Sequence, residues 1–206
     1  GFEQSNQNNN ILKKWYLKIQ AKRLKNEEIK FWNTIDSILS ISDNDRSHII
    51  EYCNTPTHVI GLYSEKRYLQ NIDQSTKVDF FHLGTMNWLP NKEGINWLLK
   101  DVFPKVKQTE KSAEIHIAGR AMPAILKSHQ QDGYYNHGEV KTAQDFMSKH
   151  KVMVIPLFSG SGIRVKIIEG MTLGKCIIST SIGVKGINCT NNKNILIANT
   201  KNEFIK

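Results

Sequence analysis

The sequence lacks the marks of a secreted scaffold, a membrane-spanning protein or a motif-based metalloenzyme. Its three cysteines, Cys53, Cys176 and Cys189, are odd in number and share no metal-type spacing. That argues against a disulfide framework and for a reducing, cytoplasmic setting. No apolar run reaches the roughly 20 residues that a bilayer crossing needs. No secretory leader is visible, and the polar stretch 1–10 reads as an internal edge more than a natural start. There is no His-Glu-x-x-His, no paired Cys-x-x-Cys, no Walker loop and no nucleophile elbow. The seven histidines are scattered; one inside a strand, such as His116, reads as a packed residue rather than a ligand. Internal repeats and low-complexity tracts are also absent.

Negative charge is scarce as well. Asp and Glu total 19 against 28 Lys and Arg, a formal net charge of +9. The excess favours anionic partners: nucleotide phosphates, an acidic membrane face or nucleic acid. The positive charge is not interleaved with aromatics as in known nucleic-acid modules, which counts against that last class. With 206 residues at 39% hydrophobic, the chain can build a real core in one large domain or one and a half small ones.

What is present centres on residues 152–180. An apolar run over 152–155 reads as a buried strand, stopped by Pro156. Ser159, Gly160, Ser161 and Gly162 form a flexible loop, and a helix follows from about Arg164 to Gly174, a residue suited to a helix C-terminus. Residues 176–178 make a second buried strand, closed by Ser179 and Thr180. A glycine loop at a helix N-terminus gathers N–H donors and the positive end of the helix dipole. Arg164 and Lys166 add full charges there. Glu169, on the same face as Lys166, would repel phosphate but suits a vicinal diol, which can donate hydrogen bonds to it. Phosphates at the loop and a ribose at the glutamate describe a nucleotide. Spacing alone leaves an ordinary loop and a surface Lys–Glu pair equally open.

Upstream, residues 11–32 read as an amphipathic helix with Leu12, Trp15, Tyr16 and Ile19 on one face and a basic opposite face. That basic face reads first as solvated, and second as a contact for anionic lipid. Strands are expected over 35–41 and 58–62, flanking a helix over 46–52 opened by Ser42 and Asp45. Residues 64–78 are polar and read as a linker. From residue 79 the pattern alternates: strand 79–83, helix 93–106, strand 114–118, short helix 123–129, strand 134–137, helix 142–150 with Thr142 as N-cap, then the stretch above and a last strand over 194–198. This predicts an α/β fold with a doubly wound parallel sheet. Ligands in such sheets bind at the carboxyl ends of the strands, where Gly84, Thr85, Gly119, Gly138 and the 159–162 loop all fall.

Pro156-Leu157, Gly160, Gly162, Arg164, Lys166, Glu169, Met171, Gly174 and Ser179-Thr180 resemble the donor-site signature of the group 1 (family 4) retaining glycosyltransferases, which have the GT-B fold. Residues 181–187 and the run Trp88-x-Pro90-Asn91 are similar to the same branch. The resemblance implies that residues 79–206 are a Rossmann-like nucleotide-sugar-binding domain and that residues 1–63 are the tail of an acceptor-side domain. It implies that Arg164 and Lys166 face the departing diphosphate and that Glu169 binds the ribose. Gly160, Ser161, Gly162, Ile163, Gly84, Thr85, Gly138 and Val140 would border the donor, with Gly138-Glu139-Val140 at the nucleobase and His137 beside it. Ser161 stands where many members have a glutamate that touches the sugar. The usual Arg–Lys pair after the first strand is missing, and Lys92 is a loose match. The implied partners are a nucleotide diphosphate sugar and a glycan or lipid-linked acceptor, with no metal or other cofactor. The expected setting is cytoplasmic or peripheral at the inner membrane face, and a homo-oligomer could form through 1–63. A non-catalytic nucleotide-binding module and a GT-B-shaped epimerase are the competing expectations.

Overall fold

A computed structural model describes residues 11–62, 79–127 and 132–206; the expected 64–78 linker and the end of the 123–129 helix lie outside them. The chain divides into two compact units, residues 1–63 and 64–206.

In the first unit, helix α1 (Ile11–Trp32) forms as its spacing suggests, but Ile11, Leu12, Trp15, Tyr16, Leu24 and Phe31 are exposed. The two expected strands are shorter than read: β1 (Ile38–Ser40) and β2 (Thr57–Val59) pair in parallel as a two-stranded sheet. Helix α2 (Asp43–Ile50) starts three residues earlier than residue 46 because Ser42 caps it. The Ser42 hydroxyl accepts from the Asp45 N–H and donates to the Asp45 carboxylate, at 3.0 and 2.7 Å. Arg46 ties the helix to β2 through the Thr57 carbonyl at 3.0 Å. The core here is small: Ile38, Ile49 and Cys53.

The second unit holds a six-stranded, all-parallel sheet in the order β5-β4-β3-β6-β7-β8. The strands are β3 (Asp79–Leu83), β4 (Glu114–Ala118), β5 (Tyr134–Gly138), β6 (Val152–Ile155), β7 (Cys176–Ser179) and β8 (Leu196–Ile197). The chain runs outward from β3 to β5, then returns to place β6 against the other side of β3. The strand order therefore reverses between β3 and β6, the position where such sheets open a cleft.

Side chains alternate between two layers, as the strand period requires. Ile115, Ile117 and Val154 face one apolar cluster, and Phe81, Leu83, Met153 and Ile155 face the other. Helix α3 (Leu89–Trp97), a wider π-helical turn (Leu98–Val102) and α4 (Phe103–Thr109) cover the first layer. Their buried residues Ile95, Leu98, Leu99, Val102 and Phe103 follow the i, i+3, i+4, i+7, i+8 stripe of a core-facing helix. The single helix expected over 93–106 is thus interrupted. Pro104 explains it: proline has no N–H, and its ring would press on the carbonyl four residues back, so the turn before it widens. Short α5 (Ala124–Lys127) follows β4. Helices α6 (Ala143–Ser148) and α7 (Val165–Thr172) cover the second layer, and α8 (Lys201–Ile205) returns to the first through Phe204. Thr142 sits at the α6 N-cap but makes no side-chain capping bond. The Gly174 reading is right in detail. Gly174 has φ 62°, and the N–H groups of Gly174 and Lys175 return to the carbonyls of Met171 and Gly170, closing a Schellman motif.

A candidate nucleotide cleft

The turns that leave β3, β4 and β5 lock together by backbone bonds. Gly84 N–H donates to Ala118 O at 3.0 Å, Met86 N–H to Arg120 O at 2.9 Å, and Gly119 N–H to Gly138 O at 2.7 Å. Gly119 has φ 154°, and a Cβ there would overlap the Gly84 carbonyl. The buried Asn91 side chain donates to Thr85 O at 3.0 Å, which gives the Trp88-x-Pro90-Asn91 run a structural task.

Across the reversal, two buried hydroxyls set the glycine loop. Ser179 donates to Ile155 O at 2.9 Å, and Thr180 donates to Leu157 O. Beyond Leu157, Arg164 turns back on the loop. Its Nη1 donates to the carbonyls of Ser161 and Gly162 at 2.6 and 2.5 Å, and its guanidinium stacks 4.9 Å over Trp88. Gly160 fits between them, since a Cβ would come within 2.8 Å of the indole and 2.9 Å of the guanidinium. Each peptide there is trans, so its N–H points opposite to its C=O. With the Ser161 and Gly162 carbonyls held by Arg164, the N–H groups of Gly162 and Ile163 point away from that cation.

Arg164 is the N-cap residue of α7, outside the regular helix, and this lets it share a wall with Lys166. Two adjoining cavities open at the carboxyl ends of β3 and β6. One, of about 350 Å³, is lined by Gly84, Thr85, Arg120, Val140, Lys141 and Lys166 among others. The second, of about 410 Å³, is lined by Gly84, Thr85, Trp88, Ile163, Arg164 and Lys166 among others. Of the sequence-picked residues, Gly84, Thr85, Val140, Ile163, Arg164 and Lys166 therefore meet at one cleft. Glu169 reaches it through Lys166, whose ammonium is 2.7 Å from Glu169 Oε2. Gly160, Ser161 and Gly162 shape the loop, and Gly138 supports the floor.

Other residues also line the cleft. Arg120, whose side chain is 78% exposed, borders the first cavity and pairs with Glu139 at 3.0 Å. Lys141 adds a cation there. His82 lines the second cavity. Its Nδ1 lies 2.9 Å from Val154 O, and burial pushes its pKa down to about 4. The imidazole is therefore neutral, and Nδ1 carries the hydrogen that Val154 O accepts. Among the described residues nothing pairs with its Nε2. The three histidines His116, His137 and His150, scattered in sequence, come together elsewhere in the unit.

Residues 77–206, more than half of the chain, match the family model of the glycosyl transferases group 1. The chain belongs to that family. Structures similar to it share the Rossmann-like GT-B architecture. One is Staphylococcus aureus TarM, solved as a point mutant with fondaparinux, α-GlcNAc-glycerol and UDP (TM-score 0.69, 18% identity, 88% of this chain and 38% of that one). Another is the pneumococcal O-GlcNAc transferase GtfA with UDP and GlcNAc (TM-score 0.66, 13% identity, 87% of this chain and 38% of that one). A third is Anabaena Alr3699/HepE with UDP and glucose (TM-score 0.59, 11% identity, 85% of this chain and 53% of that one). A Klebsiella pneumoniae protein, described as an uncharacterized 44.6 kDa protein in the cps region, is 22% identical over 213 residues. The match covers 98% of this chain and 53% of that relative, so the chain spans about half of its length. Among the described residues no helix is long and apolar enough to cross a membrane.

Proposed function

We propose that this chain carries the donor half of a retaining glycosyltransferase of family 4 type. The whole enzyme would move a sugar, of hexose type, from a nucleotide diphosphate to a glycan or lipid-linked acceptor in surface polysaccharide synthesis. The observation that carries this is the shared wall: Arg164 and Lys166 line one cavity at the strand-order reversal, and Lys166 bridges to Glu169. UDP in the three similar structures makes uridine the base to try first, and the cps-region relative supports the polysaccharide role.

The chemical task is to stabilise a departing diphosphate. Lys166 supplies a mobile charge with three donors, enough to hold Glu169 and a phosphate oxygen together. Arg164 fixes the loop so that the Gly162 and Ile163 N–H groups meet the same charge as it develops. Glu169 accepts the ribose hydroxyls and so positions the leaving group. The reading assigns no metal to this step. Any contact with a membrane surface would come from the basic helix α1.

Titration calorimetry with UDP and with uridine tests the reading. Lys166→Ala should lose about 1.5–3 kcal/mol of UDP affinity, the worth of a charged hydrogen bond, and almost none of the uridine affinity. Equal losses for the two ligands would place Lys166 away from the phosphates and sink the assignment.

A further inference from the structure

A second polar constellation lies on the flank of the sheet that α6 covers. His116 comes from the middle of β4, His137 from the end of β5, and His150 from just beyond α6. One ring nitrogen from each lies within 4.8 Å of the others. His116 Nδ1 and His137 Nε2 are 2.9 Å apart, and the rings of His116 and His150 are 4.2 Å apart, centre to centre.

The far sides of two rings are anchored by carboxylates. His150 Nδ1 is 2.8 Å from Asp79 Oδ2. His116 Nε2 is 3.4 Å from Glu114 Oε2 and 3.6 Å from Asp79 Oδ1. A carboxylate that takes the N–H on one side of an imidazole fixes the tautomer and turns the other lone pair inward, as in metal-bound histidines. Neutral imidazole is the ligating form.

We propose that His116 Nδ1, His137 Nε2 and His150 Nε2 bind one divalent transition-metal ion of the zinc class, with Asp79 and Glu114 orienting the rings. Tetrahedral zinc with nitrogen ligands at about 2.0–2.1 Å sets the ligand atoms roughly 3.3 Å apart. The observed spread closes to this by small ring rotations, chiefly of His137, which is exposed. Water completes the fourth position on that open side. The ion joins β4, β5 and the segment after α6. Because Gly138 follows His137 directly and Glu139 and Val140 line the cleft, the clip also steadies one wall of the cleft. It is a structural site, separate from the leaving-group charges.

The full chain, stripped with EDTA, is incubated with Zn²⁺, gel-filtered and assayed for metal by mass spectrometry. The unaltered chain should retain about one equivalent, and His137→Ala less than about a tenth of that. His137 is exposed, so the variant should keep its fold, checked by far-UV circular dichroism. Asp79→Asn keeps all three ligands and should weaken zinc about tenfold to hundredfold in competition with a chromophoric chelator. Co²⁺ in place of Zn²⁺ should give tetrahedral visible bands that His137→Ala abolishes. Retention below about a tenth of an equivalent by the unaltered chain, or equal retention by His137→Ala, overturns the proposal. The first result means imidazoles that only hydrogen-bond to one another; the second means binding at other surface groups.

Discussion

The cleft and the histidine cluster are neighbours on one sheet, yet they are built in opposite ways. The cleft is made of backbone. Glycines let turns approach within hydrogen-bonding distance, and exposed cations are added at the rim. The cluster is made of side chains, with imidazoles and carboxylates packed on Phe81 and Phe146. The backbone site should tolerate changes at its rim and fail at its floor. The side-chain site should tolerate truncation of its exposed member, His137, in the metal-free fold.

Gly119→Val gives the largest expected effect. The residue sits at φ 154°, and its new Cβ meets the Gly84 carbonyl. Strain and overlap together should cost about 4 kcal/mol. His137→Ala, an exposed truncation in the metal-free protein, should cost less than about 1 kcal/mol. Urea unfolding of both variants checks this. Equal losses would erase the distinction between floor and rim.

The pH response separates the regions next. His82 belongs to the cleft and is buried alone, whereas the cluster shares its imidazoles with carboxylates. The His82 folded-state pKa of about 4 lies below its ordinary 6.5. A depressed pKa gives stability that is complete above the unfolded value and is lost as pH falls from 6.5 towards 4. Integrated from pH 7 to pH 4, the loss is about 3 kcal/mol. His82→Asn, which keeps a donor for Val154 O, should lack that component. If both proteins lose stability in parallel over this range, His82 is not held neutral by burial.

The contrast also explains what could be read from the sequence. The cleft's loop and helix are contiguous, so Gly160, Gly162, Arg164, Lys166 and Glu169 announce themselves by spacing. The glycines after β3, β4 and β5 fall where a parallel sheet must bind. The cluster draws on residues 79, 114, 116, 137 and 150, from four elements whose neighbourhood exists only after the strands pair. Lys141 was missed for the same reason, since nothing local distinguishes a lining cation from a solvated one. Strand lengths in the first unit were overread because β-branched runs signal apolar character, whereas pairing partners decide where a ladder ends. The interruption before Pro104 was overlooked, although a proline inside a helical stripe disturbs it.

Glu169 gives a smaller effect, confined to ligand binding. Under the proposed reading, Glu169→Ala should weaken UDP by about 2 kcal/mol, within the range of a charged hydrogen bond. The 2′-deoxy nucleotide should bind more weakly than UDP to the unaltered chain and about equally with it to the variant. Equal sensitivity in both proteins would remove the ribose from Glu169 and leave it as a partner of Lys166 alone.

The smallest effect belongs to the rim. Among the residues lining the first cavity, Glu139 alone is acidic, against Arg120, Lys141 and Lys166. Its pairing with Arg120 at 3.0 Å is exposed on both sides, 78% and 65%. An exposed pair holds its partners weakly, so little is gained or lost in stability when it goes. Its effect on an incoming diphosphate is a matter of field. Removing one negative charge at the mouth raises the local positive potential and frees Arg120 to turn inward. Glu139→Gln should therefore tighten UDP by a factor of about two or three at low salt, with no change in the affinity for uridine. At roughly 0.5 M salt the gain should vanish, because the Debye length shrinks to a few ångströms. Calorimetry at two ionic strengths separates the possibilities. A gain that survives high salt would mean direct contact with the ligand, and the rim would then belong to the binding floor.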